Sequence, residues 1–531
     1  MDRSCGILMP VSSLPSPYGI GTFGKAAYDF ADFLESAGMS CWQLLPLGPT
    51  GYGDSPYASF STFAGNPYYI DPDMLAEDGL IDKEDLESAD WGRDEEKTDY
   101  GRIFQSRFKV LRKAFSNGRE RYKEAVEEFR EENASWVGDY ALFMAVKAHF
   151  GMQSWTEWPD EDIRLRKETA LNKYADMLRE DVDFYVFLQF LFYKQWDALK
   201  DYVHSKGIKI IGDVPIYVAL DSSDVWSEPH FFLLDDQNLP TVVSGCPPDA
   251  FNDDGQLWGN PIYDYAKMEQ DGFGWWIRRI EGAGKLYDVI RIDHFRGFES
   301  YWAVPYGEKT AKNGKWMPGP GMKLVGVLTS WFSNLEFIAE DLGYTTPEVR
   351  KLLADSGLPG MKVLEFAFEP DAGSDAIPFR VKENSTCYIG THDNDTVRGW
   401  LENFDEKCIA FARKYMNVRS DDEWNDAFLR TGLASPAKFF CAQMQDILEL
   451  GADARMNTPG LPAGNWCWRM KKDAITPGLA EKLRDLAITY GRFVEPVQEP
   501  EEDEVSTTAS PVGKGRKRAL LHKRRPRGRL A

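Results

Sequence analysis

Three short segments of this chain place acidic residues directly after apolar runs. In Asp288-Val289-Ile290-Arg291-Ile292-Asp293-His294, strand alternation puts Val289, Arg291 and Asp293 on one face, with Ile290 and Ile292 on the other. An Arg and an Asp two apart on one face of a buried strand are costly unless paired. Pairing also keeps the Asp ionised, as a nucleophile must be. A structural ion pair accounts for those two residues equally well when they are taken alone. Phe337-Ile338-Ala339-Glu340-Asp341-Leu342-Gly343 delivers more carboxylates, and Tyr388-Ile389-Gly390-Thr391-His392-Asp393-Asn394-Asp395 delivers a His and two acids. Three strand ends, each with acid at its C-terminal side, form the layout expected of a (β/α)8-barrel active site.

The elements that must hold these residues are legible as short buried-looking strands separated by helical patterns. Strand-like runs cover 42–47, 208–218, 287–295, 337–340, 361–368 and 388–393. Phe23, Ala27, Phe30, Leu34 and Ala37 recur at helical spacing and stop at Gly38, a plausible C-terminal cap. Phe192, Trp196, Leu199 and Val203 do the same before Gly207. Helix followed by strand, repeated, predicts an α/β fold with a parallel sheet, here a (β/α)8 TIM barrel over 1–491. The acidic stretch 73–180 reads as a helical insertion. Residues 219–273, rich in Pro, Gly, Asp and Trp, read as an active-site loop. From 492 to 531 an acidic and then basic tail is expected to be disordered. Gly19-Ile20-Gly21-Thr22-Phe23-Gly24 matches a dinucleotide-binding pattern, but Leu14-Pro15-Ser16-Pro17 before it argues for a loop and a glycine turn.

Composition narrows the class further. A hydrophobic share of 43% supports a large core. No run approaches the ~20 apolar residues that span a bilayer. The start Met1-Asp2-Arg3-Ser4-Cys5 has no signal-peptide pattern, so a cytoplasmic location and no membrane partner are expected. Seven scattered cysteines without a CxxC pair suit reduced thiols rather than zinc or disulfides. A net charge of −22 argues against nucleic-acid binding. The 17 Trp suit both core filling and stacking on sugar rings.

The three acidic segments resemble the catalytic motifs of the α-amylase clan, and more closely those of the 4-α-glucanotransferases (amylomaltases or disproportionating enzymes). Gly51 to Tyr57, Phe63 to Pro67, Gly212 to Val218, Pro247-Pro248-Asp249, Gly255 to Pro261, Met456 to Gly460 and Gly464 to Arg469 carry the likeness, over roughly 5–490. The resemblance implies Asp293 as nucleophile, Glu340 as general acid/base and Asp393 as transition-state stabiliser. Asp393, directly after His392, is chosen over Asp395. It implies substrate contacts from Tyr57, Asp213, Asp249, Trp258, Arg291, His294 and His392. The implied reaction moves α-1,4-glucan segments to the 4-hydroxyl of glucose or a maltooligosaccharide, by retention through a glucosyl ester of Asp293, with no cofactor and no metal. The alternative is an α-amylase-type hydrolase, which the three acids alone do not separate from a transferase.

Overall fold

The computed structural model describes residues 2–51, 53–248, 252–343, 345–461 and 463–494. Its twelve strands, in chain order, are β1 (Ser4–Leu8), β2 (Cys41–Gln43), β3 (Lys209–Val214), β4 (Val242–Cys246), β5 (Gln256–Pro261), β6 (Val289–Ile292), β7 (Ser300–Pro305), β8 (Lys315–Pro318), β9 (Glu336–Ala339), β10 (Gly360–Val363), β11 (Ser385–Tyr388) and β12 (Phe439–Gln443). Eight of them close into a barrel in the order β1-β12-β11-β10-β9-β6-β3-β2, and every pairing in it is parallel. Helices alternate with these strands, so the fold is the expected (β/α)8 barrel.

The six strand-like runs correspond to β2, β3, β6, β9, β10 and β11, though the strands end sooner than the apolar runs do. Strand β3 stops at Val214 because Pro215 has no N–H to continue the ladder. Strands β1 and β12, which close the barrel, lie outside the runs read as strands. At five residues each they are longer than β2, β6, β9, β10 and β11, so length does not account for their being missed. The helix Lys25–Ser36 is followed by Ala37 and by Gly38 at φ +68°, the left-handed turn that ends it. Gly207 has the same φ after the helix Arg179–Ser205.

The glycine pattern at 19–24 is a packing device. A Cβ on Gly24 would lie 2.0 Å from Asp71 Oδ2. That carboxylate, which also accepts the Thr22 hydroxyl at 2.6 Å, sits where a phosphate would have to approach the helix start.

The stretch 73–180 is a series of helices, among them Tyr100–Gly118, Lys123–Glu132 and Val137–His149, packed on the long helix Arg179–Ser205. The described residues of 219–273 include regular strands and helices. They contribute β4 and β5 to a four-stranded antiparallel sheet, β5-β4-β7-β8, whose other half is inserted between β6 and β9. The compact unit runs to Glu495, past the expected boundary. Arg492 is fully buried and donates to the carbonyls of Ser4, Leu433, Ser435, Ala437 and Lys438, tying β1 to the segment before β12. The expected disordered tail otherwise lies outside the described residues. Among the described residues no helix is long and apolar enough to cross a membrane.

Candidate active site

Strand register assembles the site. In the β3–β6 ladder Asp213 is the neighbour of Arg291, and in the β6–β9 ladder Ile292 is the neighbour of Ala339. One residue further along, Asp293 and Glu340 leave their adjacent strands at the same level. Their backbones remain tied there, with Asp293 N–H donating to Val214 O and Glu340 N–H to Ile292 O, both at 3.0 Å. His294 turns the chain with φ +51°, a left-handed conformation that costs a non-glycine residue energy. In that turn its N–H donates to Glu340 Oε2 at 2.7 Å.

Arg291 is the hub of the charges. Its guanidinium Nη1 donates to Asp213 Oδ2 at 2.5 Å and to Asp293 Oδ1 at 3.1 Å. Asp213 also accepts the Tyr57 hydroxyl at 2.6 Å. Asp213 and Arg291 are almost completely buried, whereas the Asp293 side chain keeps a quarter of its surface open. Burial raises the Asp293 carboxyl well above the ordinary range, Arg291 opposes that shift, and Asp213, Glu340 and Asp393 reinforce it. Burial likewise raises Glu340, against Arg291 and the backbone N–H groups of Leu342 and His294. Of Asp293 and Glu340, Asp293 is the one bonded to the guanidinium, so it is the carboxyl of the two that the cation favours in ionised form.

A cavity of about 680 Å³ opens above these groups at the C-terminal end of the barrel. Tyr57, Trp258, Arg291, Asp293, His294, Glu340, His392 and Asp393 all line it. Asp213 lies beneath, behind Tyr57 and Arg291, so its expected contact with substrate becomes an indirect one through those two side chains. Asp249 falls outside the described residues. The two acids of the third segment differ in position. Asp393 faces the cavity with its side chain about half exposed and accepts the Asn457 amide at 2.6 Å, whereas Asp395 turns away to Arg455 at 3.5 Å.

The walls supply apolar surface with few polar groups. Trp258 lies on β5, more than a third exposed, with its ring edge-on to His294 at 4.8 Å. Burial pushes His294 down to about 3, so its imidazole is neutral. His392 is also lowered by burial and stacks on Tyr57 at 5.0 Å between centroids. Tyr217, Phe366, Asn457, Asn465 and Trp466 join the lining, although none was singled out from sequence as a contact residue. Asn457 and Trp466 belong to the two C-terminal motifs, so the available signal was that those polar-aromatic stretches have no core periodicity.

Convergent acids at the strand ends, an arginine holding one of them, and a cavity walled by Trp and Tyr are what glucan chemistry requires. Known proteins agree. The family profile described as 4-alpha-glucanotransferase matches residues 9–475. The 4-alpha-glucanotransferase of Clostridium butyricum is 51% identical over 91% of this chain and all of its own length. That of Thermus thermophilus is 45% identical over 92% and 98% of the two chains, and the chloroplastic/amyloplastic enzyme of Solanum tuberosum is 40% identical over 92% and 87%. Among solved structures, amylomaltase from Streptococcus agalactiae in complex with acarbose superposes with a TM-score of 0.91 at 43% identity, covering 93% of this chain and 100% of that one. On fold, site and likeness together, the chain belongs to the 4-alpha-glucanotransferase (amylomaltase) family of glycosyltransferases.

Proposed function

We propose that this 4-α-glucanotransferase works by a retaining double displacement, with Asp293 as nucleophile, Glu340 as general acid/base and Asp393 as the group that steadies the transition state. In the first step an Asp293 oxygen attacks the anomeric carbon of an α-1,4-glucan. The bond to the leaving 4-oxygen breaks as Glu340 gives that oxygen its proton, releasing the shortened chain. In the second step Glu340, now ionised, takes the proton from the 4-hydroxyl of glucose or a maltooligosaccharide. The freed oxygen displaces Asp293 and re-forms an α-1,4 bond.

The observation that carries this reading is the parallel register that sets Asp293 beside Glu340 with Arg291 bonded to Asp293 alone of the pair. The backbone donors from His294 and Leu342, each 2.7 Å from a different Glu340 oxygen, fix its orientation and receive charge when it ionises between the two steps. The Asp393 carboxylate, which has no Lys or Arg ion pair among the described residues and is open to the cavity, suits a group that strengthens its bonds to sugar hydroxyls as positive charge develops on the ring. Trp258 and Tyr57 offer flat apolar faces that bind a sugar better than water, which favours transfer over hydrolysis. Incubation with maltotriose tests this. Glucose and a ladder of longer oligomers should form with total reducing ends constant. A steady rise in reducing ends would make the protein a hydrolase, and an active Asp293→Asn variant would remove the mechanism.

A further inference from the structure

Behind the segment that presents His392 and Asp393 lies a carboxyl group that the chemistry above does not use. Glu365 follows β10 and is only 3% exposed. Its carboxyl lies in a notch left by Gly390, where a Cβ would come within 2.6 Å of Oε1. That oxygen has no hydrogen-bond partner. The amide of Asn394 reaches the carboxyl. On its other side Asn394 Oδ1 accepts both the backbone N–H and the hydroxyl of Thr391, at 2.9 Å each. Asn394 therefore closes a turn over Thr391–Asn394, and His392 and Asp393 are its two central residues. Glu365 stands against the back of that turn.

The charges facing Glu365 come from three segments. Asp446, fully buried after β12, and Asp395, after β11, are both acidic. Arg455 is a cation acting on it, and each of its three nitrogens already meets another oxygen: Asp395 Oδ2 and the carbonyls of Asp393 and Asn457. Gln443 bonds Asp446 and the Asp395 carbonyl without adding charge. An ionised Glu365 would be a buried anion with an unpartnered oxygen beside two other acids, an arrangement far costlier than its neutral form. Burial and these acids raise the Glu365 carboxyl well above the ordinary range, against the Arg455 charge and the Asn394 amide, and Asp446 is raised to about 7.

We propose that Glu365 is a positioning residue which, as a neutral carboxylic acid, braces the Thr391–Asn394 turn and so sets His392 and Asp393 toward the cavity. This rests on the role given to Asp393 above. A neutral carboxyl has nearly the shape of a carboxamide, so Gln should replace it and Leu should not. The sign of the pH effect follows. The unfolded chain loses the Glu365 proton above the ordinary Glu pKa of about 4.3, while the folded chain keeps it. The folded state is therefore penalised increasingly as pH rises, and Gln removes that penalty.

The test compares the full-length wild type with its Glu365→Gln and Glu365→Leu variants, following maltotriose disproportionation and thermal melting between about pH 5 and about pH 8. Glu365→Gln should keep wild-type kcat near the acidic end, and its melting temperature should exceed the wild type's by a margin that widens by several degrees toward the alkaline end. Glu365→Leu should lose about a hundredfold in kcat with KM little changed, as misplacement of a catalytic turn does. A melting margin for Glu365→Gln that does not change with pH would overturn the proposal. So would a Gln variant as inactive as the Leu one. An active Asp293→Asn variant would defeat the double-displacement reading but would leave the pH-dependent melting margin as it is, so the two failures are distinguishable.

Discussion

At the scale of single residues, the site divides its acids by what touches them. Asp293 has a guanidinium at 3.1 Å; Glu340 has only backbone donors. Both carboxyls are raised by burial, so both limbs of the pH–kcat/KM profile should be displaced upward. Because the two carboxyls interact, the limbs belong to the pair: activity should fall on the acid side as it takes up its second proton, at a pH above the ordinary Asp value of about 3.9, and on the alkaline side as it loses its last. A rate profile measured with maltotriose checks this, and an acid limb at the ordinary value would contradict it. Glu340→Gln should lower kcat on maltooligosaccharides by about 10²–10⁴, the usual worth of general acid/base catalysis. Trp258→Ala should raise KM by up to about tenfold, the equivalent of ~1.4 kcal/mol of stacking, with a smaller change in kcat. Strand alternation sets Arg291 and Asp293 on one face, whereas Glu340, Asp393 and both histidines are singled out through the family resemblance; all six line the cavity. The indirect place of Asp213 was not readable from sequence, because that depends on how Tyr57 folds over it from a segment 156 residues away.

At the scale of elements, two registers do the assembling. The Asp213–Arg291 neighbour pair on β3 and β6 is a buried ion pair, 2.5 Å apart. Asp213→Ala should therefore cost about 3–5 kcal/mol in denaturant unfolding, because it breaks a buried ion pair and leaves the guanidinium only its longer contact with Asp293. The adjacent Gly212 has no room for a side chain, since a Cβ would lie 2.1 Å from the Tyr287 ring. Gly212→Ala should destabilise by about 1–3 kcal/mol through overpacking of that ring, measured the same way. Six of the eight barrel strands are read as apolar runs; β12 is missed although Phe439-Phe440-Cys441-Ala442 is one, and β1 is interrupted by Gly6. Ser4-Cys5-Gly6-Ile7-Leu8 becomes a strand only because β2 and β12 flank it. The side sheet escaped for a similar reason. Its strands pair across two insertions, β4 with β7, and long-range antiparallel pairing leaves little local trace in Pro- and Gly-rich segments.

At the scale of the molecule, the barrel closes where the first strand, β1, pairs with the last, β12. Arg492 reaches under β1 and the segment leading into β12 with a fully buried guanidinium. A chain stopped after Glu495 should melt and transfer glucan like the full-length protein, since the compact unit and the family match are both retained. A chain stopped after Gly491 should melt several degrees lower, because it loses those buried hydrogen bonds. Thermal melting of the two truncations side by side separates the cases. The abrupt change in composition marked the tail, but placed its boundary a few residues early, because a buried Arg looks in sequence like one more solvated charge.

The most direct test of the double displacement is to trap its intermediate. The Glu340→Gln variant, given α-maltotriosyl fluoride, can form the ester because fluoride leaves without a proton, and cannot readily release it because no general base remains. Peptide mass spectrometry of the quenched protein should find a maltotriosyl adduct on Asp293. An adduct on another residue, or steady turnover of the fluoride with inverted product, would contradict the account.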